Sequence, residues 1–162
     1  MIYFYYHFKE ERISKHGSSS KKLNPHAKLP TRGSDEAAGY DLYACLPYQE
    51  CPVEIRDGKT EKIGTGLAIK IPDGYFGAIF ARSGLATKFG LRPANCVGVI
   101  DSDYTGECIV ALHNDSGCRR QINDGDRIAQ LVILPYYTAE FKEVDELQKT
   151  DRGNGGFGHS GK

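Results

Sequence analysis

Short hydrophobic runs separated by glycine and proline make up most of the chain from residue 23 onward. Val, Ile, Tyr and Phe dominate these runs, and apolar positions alternate at Leu67, Ile69 and Ile71. Because these features are typical of strands, the pattern predicts strands at residues 40–46, 62–71, 75–80, 108–112 and 127–134, and a weaker one at 141–144. The turn signals Asp57-Gly58, Pro72-Asp73-Gly74 and Asp124-Gly125 lie between the runs.

One segment has the composition of a helix. Residues 83–89 contain Leu85, Ala86 and Lys88 and stop at Gly90. No long amphipathic period occurs elsewhere, so the sequence predicts an all-β domain, a compact β-barrel or jelly roll with one short helix. We expect residues 1–22 to be a disordered leader, 23–150 to be the β domain, and 151–162 to be a flexible glycine-rich tail.

Length and charge narrow the class of protein. The 162 residues fit one domain, and 21 basic residues balance 21 acidic ones. This balance argues against a broad surface for nucleic acid or membranes. The eight aromatic and apolar residues at the start are too few for a signal peptide or a membrane span. The five cysteines have no zinc-type spacing, which predicts free thiols in a reducing cytoplasm.

Five short segments, in chain order, resemble the five motifs of the trimeric dUTPase family, in its bacterial or phage type. They are Ala-Gly-Tyr-Asp-Leu at 38–42, Ala-Arg-Ser-Gly-Leu at 81–85, Gly-Val-Ile-Asp-Ser-Asp-Tyr-Thr-Gly at 98–106, Arg-Ile-Ala-Gln-Leu at 127–131, and Arg-Gly-Asn-Gly-Gly-Phe-Gly-His-Ser-Gly at 152–161. The similarity covers the chain from about residue 23 to its end. Ala81 stands where the family usually has Pro, which bears on the stiffness of that loop. His159 stands where many members have a small hydroxyl residue. Bacterial-type members have His at this position.

The resemblance implies an enzyme that hydrolyses dUTP to dUMP and pyrophosphate, limiting uracil incorporation into DNA and supplying dUMP for dTMP synthesis. It implies a homotrimer of β-barrel subunits with active sites at the interfaces, closed by the C-terminal tail. Mg²⁺ is expected to bind with the triphosphate. Asp41 then organises the water shell of the metal or supports a phosphate-binding arginine. No protein residue is expected to ligate the metal directly, because magnesium keeps several waters and favours phosphate oxygens.

The triphosphate requires local cations and backbone donors in a chain without net charge. Arg82 and Arg152 are the candidate cations, since a guanidinium pairs with phosphate through two points. The amides of Ser83 and Gly84 are expected to face the phosphates at the start of the predicted helix. Gln130 is expected to donate one further hydrogen bond.

Asp101 is the candidate general base. It follows an apolar run, which predicts a carboxylate partly withdrawn from water and therefore more basic. By resemblance it orients and deprotonates the water that attacks the α-phosphorus. Pyrophosphate then leaves in line, with the metal and the arginines taking up its charge.

The segment at 95–109 resembles a hairpin that holds the base. Main-chain groups of Val99, Ile100 and Ile109 are expected to pair with the edge of uracil, with Asn95 beside them. Gly98 permits a close approach of the backbone. Tyr104 is expected to lie under the deoxyribose, where a ribose 2′-hydroxyl would clash.

The tail carries the last candidates. An isolated aromatic residue in a glycine tail has no core to join, so Phe157 is expected to stack on uracil when the tail closes. Ser160 and the amide of Gly158 would then reach the γ-phosphate.

Two alternatives stay open at this level. A dCTP deaminase, or a bifunctional enzyme, shares the fold and the triphosphate site, and release of ammonia from dCTP would reveal it. A regulatory trimer that senses the nucleotide is the alternative from another class, with residues 1–22 as the place for a partner.

Overall fold

The computed structural model describes residues 18–156. Within this range there are twelve strands and one helix. The strands are β1 (Ser20–Lys22), β2 (Thr31–Arg32), β3 (Tyr40–Tyr43), β4 (Val53–Ile55), β5 (Thr60–Gly64), β6 (Leu67–Ile69), β7 (Tyr75–Phe80), β8 (Leu91–Pro93), β9 (Gly98–Ile100), β10 (Ile109–Asn114), β11 (Arg120–Ile122) and β12 (Arg127–Pro135), and the helix is α1 (Ser83–Phe89). The all-β class with one short helix is confirmed.

The largest sheet has five antiparallel strands in the order β2-β3-β12-β7-β9. Gln130 of β12 pairs with Asp41 of β3 on one side and with Phe80 of β7 on the other. Directly opposed residues point to the same face of a sheet, so these three side chains share one face. At the edge strand, Ile100 of β9 pairs with Gly77 of β7.

Smaller sheets complete the fold. β10 pairs with both β5 and β8, β11 pairs with β4, and β1 pairs with β6. One cluster of buried hydrophobic residues draws on these sheets and on the large one, with Leu42, Ile63, Leu112 and Ile128 almost fully buried. Burying each such side chain contributes about 1.5–3 kcal/mol, so this shared core fixes the sheets against each other.

The clearest predictions match the structure. The strand expected at 75–80 and the helix expected at 83–89 have the predicted bounds. Gly90 ends the helix in the left-handed conformation, with φ 63°. The run predicted at 62–71 is split instead into β5 and β6, because Gly66 has φ +65° and a Cβ there would lie 2.8 Å from Cys45 Sγ.

Three expectations about elements are wrong. Residues 141–144 form no strand in the described chain, and Phe141 and Val144 are exposed, because they have no neighbouring strand to pair with. The strand expected at 40–46 ends at Tyr43, where Ala44 N–H turns to the carbonyl of Asp126. The last residues assigned to the leader form β1, since backbone pairing with β6 orders a polar segment that has no apolar pattern.

Within residues 18–156, no helix is long and apolar enough to cross a membrane.

Candidate active site

A pocket of about 220 Å³ lies against the edge strand β9. We call it the β9 pocket. Besides Ile79, Glu107 and Cys108, it is lined by seven of the residues singled out in the sequence: Asn95, Gly98, Val99, Ile100, Asp101, Tyr104 and Ile109. The structure therefore brings together the residues of segment 95–109 that were expected to hold the base, with Asp101 beside them.

The backbone of the β9 pocket has free pairing capacity. β9 is paired with β7 on one side and lies at the edge of its sheet, so about half of its N–H and C=O groups face away from β7. Ile109 pairs with Gly64 of β5, while the pairing of β10 with β8 begins only at Leu112. Two exposed strand edges thus border the same cavity, which is the arrangement needed to read a planar base by main-chain hydrogen bonds.

The expected hairpin at 95–109 takes a different form. β9 pairs with β7, and β10 pairs with β5 and β8, so no ladder joins β9 to β10 within the described chain. The two strands belong to different sheets and flank the pocket. β9 and β10 each pair with strands from other parts of the sequence. The local pattern therefore could not show that the two strands belong to different sheets.

Gly98 and Gly106 make room in the pocket wall. A Cβ on Gly98 would lie 3.1 Å from Ile79 Cβ, and one on Gly106 would lie 2.5 Å from Tyr104 Oη. The Tyr104 hydroxyl donates a hydrogen bond to the carbonyl of Glu107 at 2.9 Å. The ring of Tyr104 therefore has a fixed place across Gly106, at the mouth of the β9 pocket.

Asp101 is the first residue after β9, and its side chain is exposed in the single chain. The expectation that the preceding apolar run withdraws this carboxylate from water is wrong for the chain by itself. Val99 is also exposed, while Gly98 and Ile100 face inward, so the apolar run is only half buried. Asp101 is free to hold a water molecule at the rim of the pocket.

Cys108 lies at the back of the β9 pocket. Burial raises the pKa of its thiol to about 11, with the charge of Glu107 adding to the effect and the Thr65 hydroxyl opposing it. Because a thiol with such a pKa stays protonated near neutral pH, Cys108 is a packing residue and not a nucleophile.

A second, larger pocket of about 720 Å³ lies at the start of α1. We call it the α1 pocket. It contains the remaining predicted residues of the central domain: Asp41, Arg82, Ser83, Gly84 and Gln130. Arg82 is the N-cap residue with extended backbone angles, and no side chain caps the helix. The amides of the first turn lack intrahelical partners and open into this pocket.

Asp41 organises the cations of the α1 pocket. Its Oδ1 accepts a hydrogen bond from Arg82 Nε at 2.8 Å, and its Oδ2 accepts one from Arg127 Nη1 at 3.2 Å. The Asp41 side chain is 13% exposed, whereas Arg127 is 52% exposed. Asp41 thus holds two guanidinium groups side by side, with part of each donor fork still turned to solvent.

Arg127 was not among the sequence candidates, although it opens the fourth of the quoted motifs. A register shift between Arg127 and Ala129 places Arg127 opposite Tyr43. Without this bulge, Arg127 and Gln130 would point to opposite faces of the sheet, because side chains alternate along a strand. The bulge turns Arg127 to the face of Asp41, and strand periodicity alone does not reveal it.

Gln130 has one partner and one free N–H. Its Nε2 donates to the carbonyl of Ala81 at 2.9 Å, which leaves the second amide hydrogen for a ligand. A Cβ on Gly39 would lie 2.7 Å from Gln130 Oε1, so Gly39 gives this side chain its room.

The two pockets are well separated on one chain and share no lining residue. Asp41 and Ile100 are three strands apart across the sheet and three residues apart along β7. At ~4.8 Å per strand and ~3.3 Å per residue, this amounts to roughly 17 Å. A group bound at Ile100 is therefore too far from Asp41 of the same chain for a direct hydrogen bond, which spans ~3 Å.

Among the C-terminal candidates, the structure describes Arg152. Arg152 is exposed, and its Nε donates to the carbonyl of Gly155 at 2.7 Å. It lines neither pocket. Phe157, Gly158 and Ser160 lie outside the described residues.

No group of three or more His, Cys, Asp or Glu residues is arranged to hold a metal ion in the part of the chain from 18 to 156. Both carboxylate oxygens of Asp41 are engaged by arginines. With both oxygens of Asp41 engaged in this way, the α1 pocket suits a metal that is held by the oxygens of a bound polyphosphate.

Comparisons with known proteins show which proteins this chain resembles. The dUTPase family model matches residues 25–161. A deoxyuridine 5′-triphosphate nucleotidohydrolase of Desulfitobacterium hafniense is 53% identical over 135 residues, covering 83% of this chain and 87% of that protein. The enzyme of the same description from Idiomarina loihiensis is 50% identical over a stretch of the same length.

Solved structures show the same similarity. The dUTPase of Staphylococcus bacteriophage 80alpha with dUPNHPP superimposes with a TM-score of 0.80 at 30% identity, covering 90% of this chain and 99% of that one. A dUTPase from phage phi11 of S. aureus, described with a structural Mg(II) ion, has a TM-score of 0.70 at 29% identity, covering 80% of this chain and 97% of that one.

Proposed function

The chain belongs to the dUTPase family and hydrolyses dUTP to dUMP and pyrophosphate, and we propose that Asp101 is the general base of this reaction. The observation that carries the proposal is the position of Asp101, exposed at the rim of a pocket whose walls are two unpaired strand edges. A base held in that pocket leaves its sugar and phosphates on the side of Asp101.

The proposed step uses one water molecule. The Asp101 carboxylate accepts a proton from this water while the oxygen bonds to the α-phosphorus. The bond between the α-phosphorus and the bridging oxygen to the β-phosphate breaks, and pyrophosphate leaves with the bond electrons. A carboxylate exposed in the single chain is suited to collecting water. The bound nucleotide and neighbouring chains then exclude bulk solvent.

In this proposal, main-chain groups of the β9 pocket recognise uracil by hydrogen bonds. The edge groups of Val99, Ile100 and Ile109 offer a fixed order of donors and acceptors, and a cytosine would leave some of them unpaired. Asn95 borders the same cavity, and Gly98 leaves room in its wall beside Ile79. Tyr104, anchored on Glu107, forms the surface beneath the deoxyribose and excludes a ribose.

The triphosphate is held in the α1 pocket. Arg82 provides the charge, and Asp41 fixes the orientation of its guanidinium. The amides of Ser83 and Gly84 and the free N–H of Gln130 supply neutral donors. Arg127, held by the same carboxylate, adds a second cation at this site.

A divalent metal accompanies the substrate, and we propose that it is Mg²⁺. The metal supplies neutralisation of charge on the phosphate oxygens. Asp41 contributes indirectly, because its oxygens hold Arg82 and Arg127. The direct ligands of the metal would then be oxygens of the triphosphate and of water.

We propose that the working enzyme is a homotrimer in which each site combines the β9 pocket of one chain with the α1 pocket of another. The separation of roughly 17 Å between these regions on one chain, from strand spacing, supports a second copy. A stretch of five exposed large hydrophobic residues supports it as well, since none packs on the core of its own chain: Tyr136, Tyr137, Phe141, Val144 and Leu147.

We propose that the tail closes the site. Arg152 is exposed in a segment that lies away from both pockets of its own chain, so it is available to a neighbouring copy. Phe157 would stack on uracil, and the Gly158 amide and Ser160 would bind the γ-phosphate. The five free cysteines support a reducing compartment, and we place the enzyme in the cytoplasm.

Pyrophosphate release from dUTP, dTTP, dCTP and UTP with Mg²⁺ tests the function directly. We expect selective release from dUTP, and we expect Asp101→Asn to bind dUTP while losing at least ~100-fold in kcat. Release of ammonia from dCTP would favour the deaminase, and full turnover by Asp101→Asn would overturn the base assignment.

Complementation tests the shared site. Asp101→Asn chains keep a sound α1 pocket, and Arg82→Ala chains keep a sound β9 pocket. If each site takes these pockets from different chains, random mixing restores about a quarter of the sites, whereas sites confined to one chain would restore none. The measurement is kcat after the two inactive variants are co-refolded, with each variant refolded alone as the control.

A further inference from the structure

Strand β6 is bound to the loop between β9 and β10 at several points. The carbonyl of Leu67 accepts a hydrogen bond from Cys108 N–H at 2.7 Å. The N–H of Gly66 donates to Glu107 Oε1 at 2.8 Å. Both bonds hold the end of the loop, next to β10. They do not constrain its beginning, where Asp101 lies.

The side chain of the residue after β6 reaches the beginning of this loop. Lys70 directly follows β6, and its Nζ donates to the carbonyl of Ser102 at 2.7 Å. Its other contact, to Asp73 Oδ1, is 3.4 Å long, and the Asp73 side chain is 93% exposed. The Lys70 side chain is itself 51% exposed, and the bond to Ser102 is the better formed of the two, because charge-assisted hydrogen bonds are most favourable at ~2.7–2.9 Å.

The backbone of Lys70 is itself fixed. Its N–H donates to the carbonyl of Ser19 at 2.8 Å, in line with the pairing of β1 and β6. The lysine therefore extends from a paired segment and connects it to the beginning of the loop that follows β9. Within that loop, the bond from Tyr104 N–H to the Asp101 carbonyl is 3.2 Å long.

We infer that Lys70 is a positioning residue for Asp101. The inference rests on the proposed role of Asp101 as the base. By holding the carbonyl of Ser102, Lys70 fixes the peptide next to Asp101 and thereby the direction of its carboxylate. Positioning at this level matters, since a displacement of ~1 Å at a reacting group can cost up to ~100-fold in rate.

The inference separates catalysis from binding. The two strand edges that border the β9 pocket are held by the pairing of β9 with β7 and of β10 with β5, in which Lys70 has no part. Loss of the Lys70 side chain is therefore expected to leave the contacts to the base unchanged. The Asp101 carboxylate, in contrast, would lose its fixed direction. The effect falls on kcat, and KM for dUTP stays nearly constant.

The test compares four variants by steady-state kinetics. We expect Lys70→Met to lower kcat ~10-fold with KM changed less than ~2-fold, and we expect Lys70→Arg, which keeps a cationic donor, to recover most of the loss. Lys62→Met is the matched control, because Lys62 is exposed and its side chain makes no hydrogen bond or ion pair within the described residues. Asp73→Asn removes the weak ion pair only and is expected to keep wild-type kcat.

A double-mutant cycle separates this inference from its premise. In the Asp101→Asn background, Lys70→Met is expected to lower kcat by less than ~2-fold, since the group it positions is gone. A full ~10-fold loss in that background, or a wild-type kcat for Lys70→Met alone, would overturn the positioning role. A wild-type kcat for Asp101→Asn would overturn the proposed base instead, whatever Lys70→Met does.

Discussion

Gly106→Ala tests the proposed place of Tyr104 beneath the sugar. A Cβ at residue 106 would lie 2.5 Å from Tyr104 Oη and 2.7 Å from Tyr104 Cζ. Ordinary carbon contacts begin at ~3.5 Å, so the ring has to retreat by roughly 1 Å. Gly106 is not among the glycines with positive φ, so the backbone tolerates alanine and the ring takes up the displacement.

The size of the effect follows from the contact that is lost. A ring displaced by that distance no longer keeps its 2.9 Å hydrogen bond to the Glu107 carbonyl. A hydrogen bond of this kind contributes a net ~0.5–1.5 kcal/mol, which corresponds to roughly 2- to 12-fold in an equilibrium constant. We therefore expect the preference for dUTP over UTP, measured as the ratio of kcat/KM values, to fall about tenfold. Tyr104 is 46% exposed, so the free energy of unfolding is expected to fall by no more than the same ~0.5–1.5 kcal/mol.

Tyr104→Phe is the matched control. It removes the hydrogen bond to Glu107 and adds no clash, so the loss of the anchor is measured separately from the displacement of the ring. If Gly106→Ala discriminates against UTP as well as the wild type does, the ring is not held by this geometry and the reasoning fails. Kinetics with both nucleotides, together with thermal unfolding, decide the matter.

Three further outcomes are expected. Asp41→Asn frees Arg82 and Arg127, which raises KM for dUTP ~10-fold with a smaller change in kcat, as steady-state kinetics would show; an unchanged KM would contradict the role of Asp41. Removal of residues 153–162 lowers kcat at least ~10-fold while sedimentation still shows the trimer, and equal turnover of both forms would exclude closure by the tail. Cys108 has a pKa raised from 9.0 to about 11, so the folded state binds more protons than the unfolded one and stability falls as pH rises from 9 towards 11. The expected fall is roughly 2 kcal/mol, measured by denaturant unfolding, and Cys108→Ala should lack it.

The elements that the sequence predicted best are those governed by local rules. Residues 75–80 combine β-branched and aromatic residues between turns, and α1 ends at a glycine in the left-handed conformation. Short strands such as β4, β8 and β11 were not predicted, because three residues carry no measurable period. These strands form because they pair with strands that are distant in the sequence, and such pairing is not visible in a local pattern of residues.

The candidate site shows the same division. The quoted motifs indicated the residues of both pockets, but Arg127 needed a bulge to reach Asp41, and Lys70 needed the tertiary pairing that places β6 beside the loop at Asp101. Neither is visible as a pattern of residue types. The exposure of Asp101 likewise depends on the position of β9 at the edge of the sheet, and not on the apolar residues that precede Asp101 in the sequence.

The placement of the two pockets on one sheet has a chemical consequence. β9 must stay unpaired on its outer edge to read a base by backbone, and an unpaired edge invites aggregation unless something covers it. In a site shared between chains, the nucleotide and the neighbouring copy cover that edge together. The charged α1 pocket, three strands away, is then free to meet the phosphates of a nucleotide bound to another chain. In the trimer that we propose, separation of the base pocket from the cations on each chain makes the catalytic site conditional on assembly. An isolated chain is then expected to bind either half of the substrate without aligning the two halves for reaction.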